Sequence, residues 1–134
     1  ITGASTGIGA ATARHAAAAG HRVVLAARST DKLEALAEEL GGAGQAMVAP
    51  CDVTDWDQQA AMVRHALDAF GRIDVVFANA GFGAKRGWLE ETPGHWRDMV
   101  LTNVLGAAYT ARAAIPAPCA RPAPRGYGCR RAAG

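Results

Sequence analysis

The chain has 134 residues, half of them hydrophobic and 19% charged, with a formal net charge of +2. That length suits one domain and leaves no room for a second. No apolar run reaches the roughly 20 residues needed to span a bilayer and no charged-then-apolar leader stands in front, so a soluble, cytoplasmic protein is expected, with no membrane partner.

The first residues, Ile1-Thr2-Gly3, read as the end of a β-strand feeding a glycine turn, and so as a start inside that strand. Residues 7–19 are alanine-rich and helix-favouring, with Gly20 as the stop. His21 to Ala27 holds the apolar run Val23-Val24-Leu25, a short buried strand. Thr30 and Asp31 offer an N-cap to a helix whose Leu33, Leu36, Ala37 and Leu40 recur at helical spacing before Gly41. Ala46 to Ala49 is a strand. Asp55 opens a helix with Met62, Val63, Ala66, Leu67 and Phe70 inward and Gly71 at its end. Ile73 to Ala78 is a strand leading into a glycine-rich loop. Thr92-Pro93 caps a long helix reaching Ile115, with proline at the tolerated first turn.

Short apolar strands alternating with amphipathic helices predict an α/β fold: a doubly wound parallel sheet of Rossmann type, here truncated, covered on both faces. Residues 1–115 form this partial domain. Residues 116–134 differ: they hold Pro116, Pro118, Pro122 and Pro124, four arginines, no acid, and no Val, Ile or Leu. Without those arginines the body carries ten basic against twelve acidic residues. The tail cannot offset its ordering entropy by burial and is expected to be disordered. A basic tail could suggest a nucleic-acid arm, but four arginines with one tyrosine and no lysine give it thin support, and no nucleic-acid partner is expected. Cys51, Cys119 and Cys129 form no C-x-x-C pair, which suits a reducing compartment, and the four histidines lack ligand spacing, so no metal site is expected.

The chemistry begins at Thr2-Gly3-Ala4-Ser5-Thr6-Gly7-Ile8-Gly9, where a strand turns into a helix. Gly3 permits a tight turn, Gly7 lets the backbone approach a pyrophosphate, and Gly9 lets helix and strand pack closely. The helix that starts here aims free N–H groups and its positive dipole end at phosphates. About 20 residues on, where an NAD site usually carries an acid for the ribose 2′-hydroxyl, the chain has Ala26-Ala27-Arg28. A guanidinium suits a 2′-phosphate, so NADP(H) is the expected cofactor in preference to NAD(H).

On these residues the chain resembles the N-terminal portion of the short-chain dehydrogenase/reductase family. The family's T-G-x-x-x-G-x-G motif is matched at Thr2 to Gly9. Its adenine-pocket Asp is matched by Asp52, followed by Val53. Its N-A-G motif is matched by Asn79-Ala80-Gly81, and its helix asparagine by Asn103 in Asn103-Val104-Leu105-Gly106. The resemblance implies hydride transfer between NADP(H) and a carbonyl or alcohol substrate, with Asn103 in the role that holds a water of the proton relay. On residues alone, Asn79-Ala80-Gly81 reads as a turn. Asn103 then falls within the apolar stripe of Trp96, Met99, Val100, Val104 and Ala107, where a buried carboxamide would need partners.

The family also needs a Ser, and a Tyr with Lys four residues on. Neither is here: Tyr109 lies on the last helix, and Tyr127, early and in a glycine-rich tail, has Arg131 at that spacing, an unsuitable replacement for the lysine. The codons for Gly126 to Arg131, reread one nucleotide earlier, can encode apolar residues followed by Ser-Ser, as the family's fifth strand ends. Residues from about 116 are therefore expected to be a frame-shifted reading. The chain alone is expected to be inactive, and a homo-oligomer only in an intact full-length form. A second reading is a non-catalytic dinucleotide-binding module that senses the cofactor.

Overall fold

The computed structural model describes residues 1–84 and 87–118. Elements follow in the order α1 (Gly7–Ala18), β1 (Val23–Ala27), α2 (Thr30–Glu39), β2 (Ala46–Pro50), α3 (Trp56–Phe70), α4 (Pro93–Val100), a π-helical segment (Leu101–Gly106) and α5 (Ala107–Ala114). The last three make one helical run, which the sequence predicted as a single long helix. No helix of the described residues is long and apolar enough to cross a membrane.

β1 and β2 pair in parallel, Val23 opposite Ala46 through Ala27 opposite Pro50. Alternation sends successive side chains to opposite faces. Val23, Leu25 and Ala27 pack with Ala10 and Ala13 of α1 and with Leu33, Leu36 and Ala37 of α2. Ala26 and Ala49 pack with Met62 and Val63 of α3 and Ala114 of α5. The sheet is thus covered on both faces, the arrangement that the alternation of strands and helices predicted.

Local signals set the helix ends. The Asp55 carboxylate accepts from the Gln58 N–H at 3.0 Å, and Gly71 closes α3 at φ +75° with its N–H on the Leu67 carbonyl at 2.7 Å. Thr92 Oγ1 accepts from the His95 N–H at 3.2 Å, ahead of Pro93. At α2 the expectation shifts by a residue: Ser29 stands at the cap without a side-chain bond, and Thr30 is already helical.

The strand expected ahead of Gly3 is represented by an isolated bridge. Thr2 bridges Ala26 in parallel, the Ala26 N–H donates to the Ile1 carbonyl at 3.0 Å, and Ala4 N–H donates to the Ala26 carbonyl at 3.1 Å. The strand expected over 73–78 is not formed. That stretch meets its neighbours through single backbone bonds, from Thr2 N–H to the Phe77 carbonyl and from Ile73 N–H to the Pro118 carbonyl, each 3.0 Å. A ladder needs several consecutive bonds, and Val75 in the middle of this stretch is 81% exposed. The packed part runs past the boundary expected at 115, because Ala117 is buried and Pro118 accepts the Ile73 bond. The disorder and frame shift expected beyond it concern residues that, from 119 on, lie outside the described ones.

The Ile1 nitrogen lies 3.0 Å from the Val24 carbonyl, so the pairing with β1 extends to this residue.

Candidate functional site

Gly3 (φ +66°) and Gly7 (φ +55°) hold the left-handed conformations that the turn requires. A Cβ on Gly3 would lie 2.9 Å from Ala80 Cα, and one on Gly9 would overlap the Gly3 carbonyl oxygen and lie 2.7 Å from Asn79 Nδ2. These two glycines let segments of the protein approach each other. Gly7 differs: nothing stands within 4 Å of where its Cβ would be, so its backbone faces open space at the start of α1. That helix has no acidic residue in its first turn and its cap residue, Thr6, makes no side-chain bond, leaving the positive end free. Ser5 is half-buried, and Thr6 and Ile8 are exposed beside it.

Asn79 and Ala80 fasten this turn from behind. Their N–H groups both donate to Thr2 Oγ1 at 3.1 Å, and Asn79 Nδ2 donates to the Thr2 carbonyl at 3.0 Å. Thr2, though polar, is buried with its hydroxyl satisfied. Asn79-Ala80-Gly81, legible alone only as a turn, thus braces the glycine turn.

Arg28 follows β1 directly and is exposed, and Asp52 follows β2 and is half-buried. Asp52 Oδ1 accepts from Thr54 N–H at 2.9 Å and Thr54 Oγ1 at 2.8 Å. These bonds, and the Arg28 charge nearby, hold its carboxyl below the usual carboxylate range. Both groups stand at the carboxyl ends of parallel strands, where open α/β sheets bind ligands. Sequence reasoning missed Thr54, although an Asp with Thr two residues on is a turn-forming pair. Val53, beside it, is buried.

Asn103 lies in the π-helical segment, a feature frequent at functional sites. Its Oδ1 accepts from the Phe82 N–H at 3.0 Å and its Nδ2 donates to the Phe82 carbonyl at 2.8 Å. A Cβ on Gly81 would lie 2.9 Å from that Oδ1. The sequence placed Asn103 in a buried apolar stripe, and the structure corrects this: Asn103 is exposed, as are Val100 and Val104. The face turned to the core is Gly106, Thr110 and Ala114, a stripe of small residues spaced by four. Close packing explains it, since a Cβ on Gly106 would lie 2.7 Å from Val53 Cγ2.

A cavity of about 470 Å³ lies between β1 and the 73–77 stretch, with Ile1, Val24, Met62 and Phe77 among its walls. It touches none of Gly7, Arg28, Asp52 or Asn103, so it lies apart from these residues. Among the described residues no cluster of His, Cys, Asp or Glu could hold a metal ion.

A glycine turn opening a helix at the carboxyl edge of a doubly covered parallel sheet defines an α/β domain of Rossmann type. The family model described as short chain dehydrogenase matches residues 1–123, and the chain belongs to this family. It is 39% identical over 116 residues to an uncharacterized oxidoreductase of Staphylococcus haemolyticus, covering 87% of this chain and 50% of that protein. It is 35% identical over 117 residues to one of Listeria monocytogenes, covering 87% and 47%. The chain spans about half the length of the curated relatives it matches. Among solved structures, an alcohol dehydrogenase from the archaeon Thermococcus sibiricus, complexed with 5-hydroxy-NADP, is 37% identical with a TM-score of 0.79. The match covers 86% of this chain and 50% of that one. A metagenomic short-chain oxidoreductase in complex with NADP is 38% identical with a TM-score of 0.77, covering 87% and 53%.

Proposed function

We propose that the chain is the cofactor-binding portion of an NADP(H)-dependent oxidoreductase acting on a carbonyl or alcohol substrate, in the cytoplasm. The observation that carries this reading is the pairing of an open-faced Gly7 at a free helix N-terminus with an exposed Arg28 at the end of β1. The N-terminus and glycine backbone suit a pyrophosphate, with Ser5, Thr6 and Ile8 around it, while Gly3 and Gly9 keep the turn tight. Arg28 suits a 2′-phosphate. Asp52 and Val53 would border the adenine, and Asn79, Ala80 and Gly81 the nicotinamide side of the cleft. Two of the similar solved structures are complexes with NADP and 5-hydroxy-NADP, which supports the same cofactor here.

Bound NADP(H) would supply or accept the hydride. This chain's residues bind and orient it, and Asn103, through its exposed carboxamide, would hold a water of a proton relay. The acid–base Tyr, its Lys and the Ser are absent from residues 1–115, and we propose that they belong to a reading frame displaced from about codon 116. Sequencing the coding DNA there tests this: an intact Tyr-x-x-x-Lys in another frame is expected. Open frames that lack it, with NADP(H) still bound, would favour a cofactor-sensing module instead.

A further inference from the structure

Gln59 lies on α3 with its side chain fully buried. Its Nε2, with two N–H groups to donate, lies within hydrogen-bond distance of three acceptors: the Val53 carbonyl at 3.0 Å, the Gly106 carbonyl at 3.1 Å and Thr110 Oγ1 at 2.9 Å. Thr110 Oγ1 in turn lies 2.8 Å from the Gly106 carbonyl and 3.2 Å from Gln59 Oε1. One buried carboxamide thus joins the loop after β2, which carries Asp52 and Val53, to the end of the π-helical segment that carries Asn103. From Asn103 the bonds continue to the Phe82 backbone. Leaving such carbonyls unbonded in the interior is costly, so this contact fixes a spacing as well as filling space.

We propose that Gln59, with Thr110, is a positioning residue that sets the distance between the adenine side of the cleft and the Asn103 segment. This rests on the cofactor reading for its purpose, although the coupling itself is a property of the free protein. Gln59→Leu keeps the volume and removes the donor. Thr110→Val is the milder change, and Thr110→Ser restores the hydroxyl. Two measurements follow on the full chain. Affinity for 2′,5′-ADP, an adenine-end probe, should fall about tenfold in Gln59→Leu and Thr110→Val, a loss on the scale of one buried bond, and recover in Thr110→Ser. Without ligand, the Phe82 amide should exchange with solvent about tenfold faster relative to the Leu25 amide in β1. Leu25 reports overall opening, so the ratio moves only if the Asn103 contact itself loosens.

An unchanged Phe82-to-Leu25 ratio in either variant overturns the proposal, whatever happens to Tm. If Gln59→Leu does not fold, Thr110→Val and Thr110→Ser decide it by the same ratio. If the parent chain binds no 2′,5′-ADP, the cofactor reading fails, and the ratio still decides whether Gln59 positions the Asn103 segment.

Discussion

Purified as it stands, the 134-residue chain is expected to show no cofactor-dependent turnover of any ketone or alcohol. A positioned acid–base group typically contributes about 10²–10⁴-fold in rate, and among the described residues none is placed to supply it. Tyr109 sits on α5 with its ring edge-on to Trp56 at a centroid distance of 5.4 Å, and the residue four positions on is Ala113. Tyr127 lies outside the described residues and is followed at that spacing by Arg131, whose planar guanidinium does not reproduce the compact ammonium of a lysine. Nicotinamide absorbance should stay constant with NADPH or NADP and a panel of carbonyl and alcohol substrates. Substrate-dependent turnover that is lost on Tyr109→Phe would overturn both the inactivity and the assignment of the catalytic groups to another frame.

Arg28→Ala should erase most of a preference for NADP(H) over NAD(H). An exposed guanidinium facing a 2′-phosphate can make charge-assisted, bidentate bonds. A hydrogen bond to a charged partner is worth about 1.5–3 kcal/mol net, or about 10- to 150-fold in affinity. Exposure of Arg28 holds the effect toward the lower end of that range. Affinity for NADPH should therefore drop about tenfold while that for NADH stays nearly constant. Arg28→Lys should recover only part, since a point charge cannot form the paired bonds. Equal weakening of both cofactors would make Arg28 structural and remove the NADP assignment. Its charge also helps keep Asp52 ionised, so NADH affinity is the control for damage at that carboxylate.

How far the sequence can be read follows from what each residue encodes. The glycine turn is legible because its requirements are backbone requirements: positive φ at Gly3 and Gly7, and no room for a Cβ at Gly3 or Gly9. β1, α2 and α3 are legible because larger apolar residues such as Leu25, Leu33, Leu36, Met62 and Val63 mark their buried faces, whereas α1 is legible from its run of alanines. The helical run after Thr92 misleads for the converse reason. Trp96, Val100 and Val104 outweigh Gly106, Thr110 and Ala114 in hydrophobicity, yet only the small residues allow the close approach to Val53 and Gln59. The π-helical turn has no compositional signature, because it shifts bonding by one residue without needing a special side chain. Ile73–Ala78 has a strand's composition, but a strand also needs a neighbour, and pairing is not local information. Gln59 is invisible for a related reason: its partners, Val53, Gly106 and Thr110, stand up to 51 residues away.

The function proposed for this chain turns on whether the open turn at Gly7 and the guanidinium of Arg28 form one dinucleotide site. Titrating the folded chain with NADPH, and following energy transfer from its tryptophans to the nicotinamide, measures this most directly. Saturable binding is expected, displaced by 2′,5′-ADP and about tenfold tighter than binding of NADH. A folded chain that shows no saturable NADPH binding, or binding that 2′,5′-ADP does not displace, would contradict it.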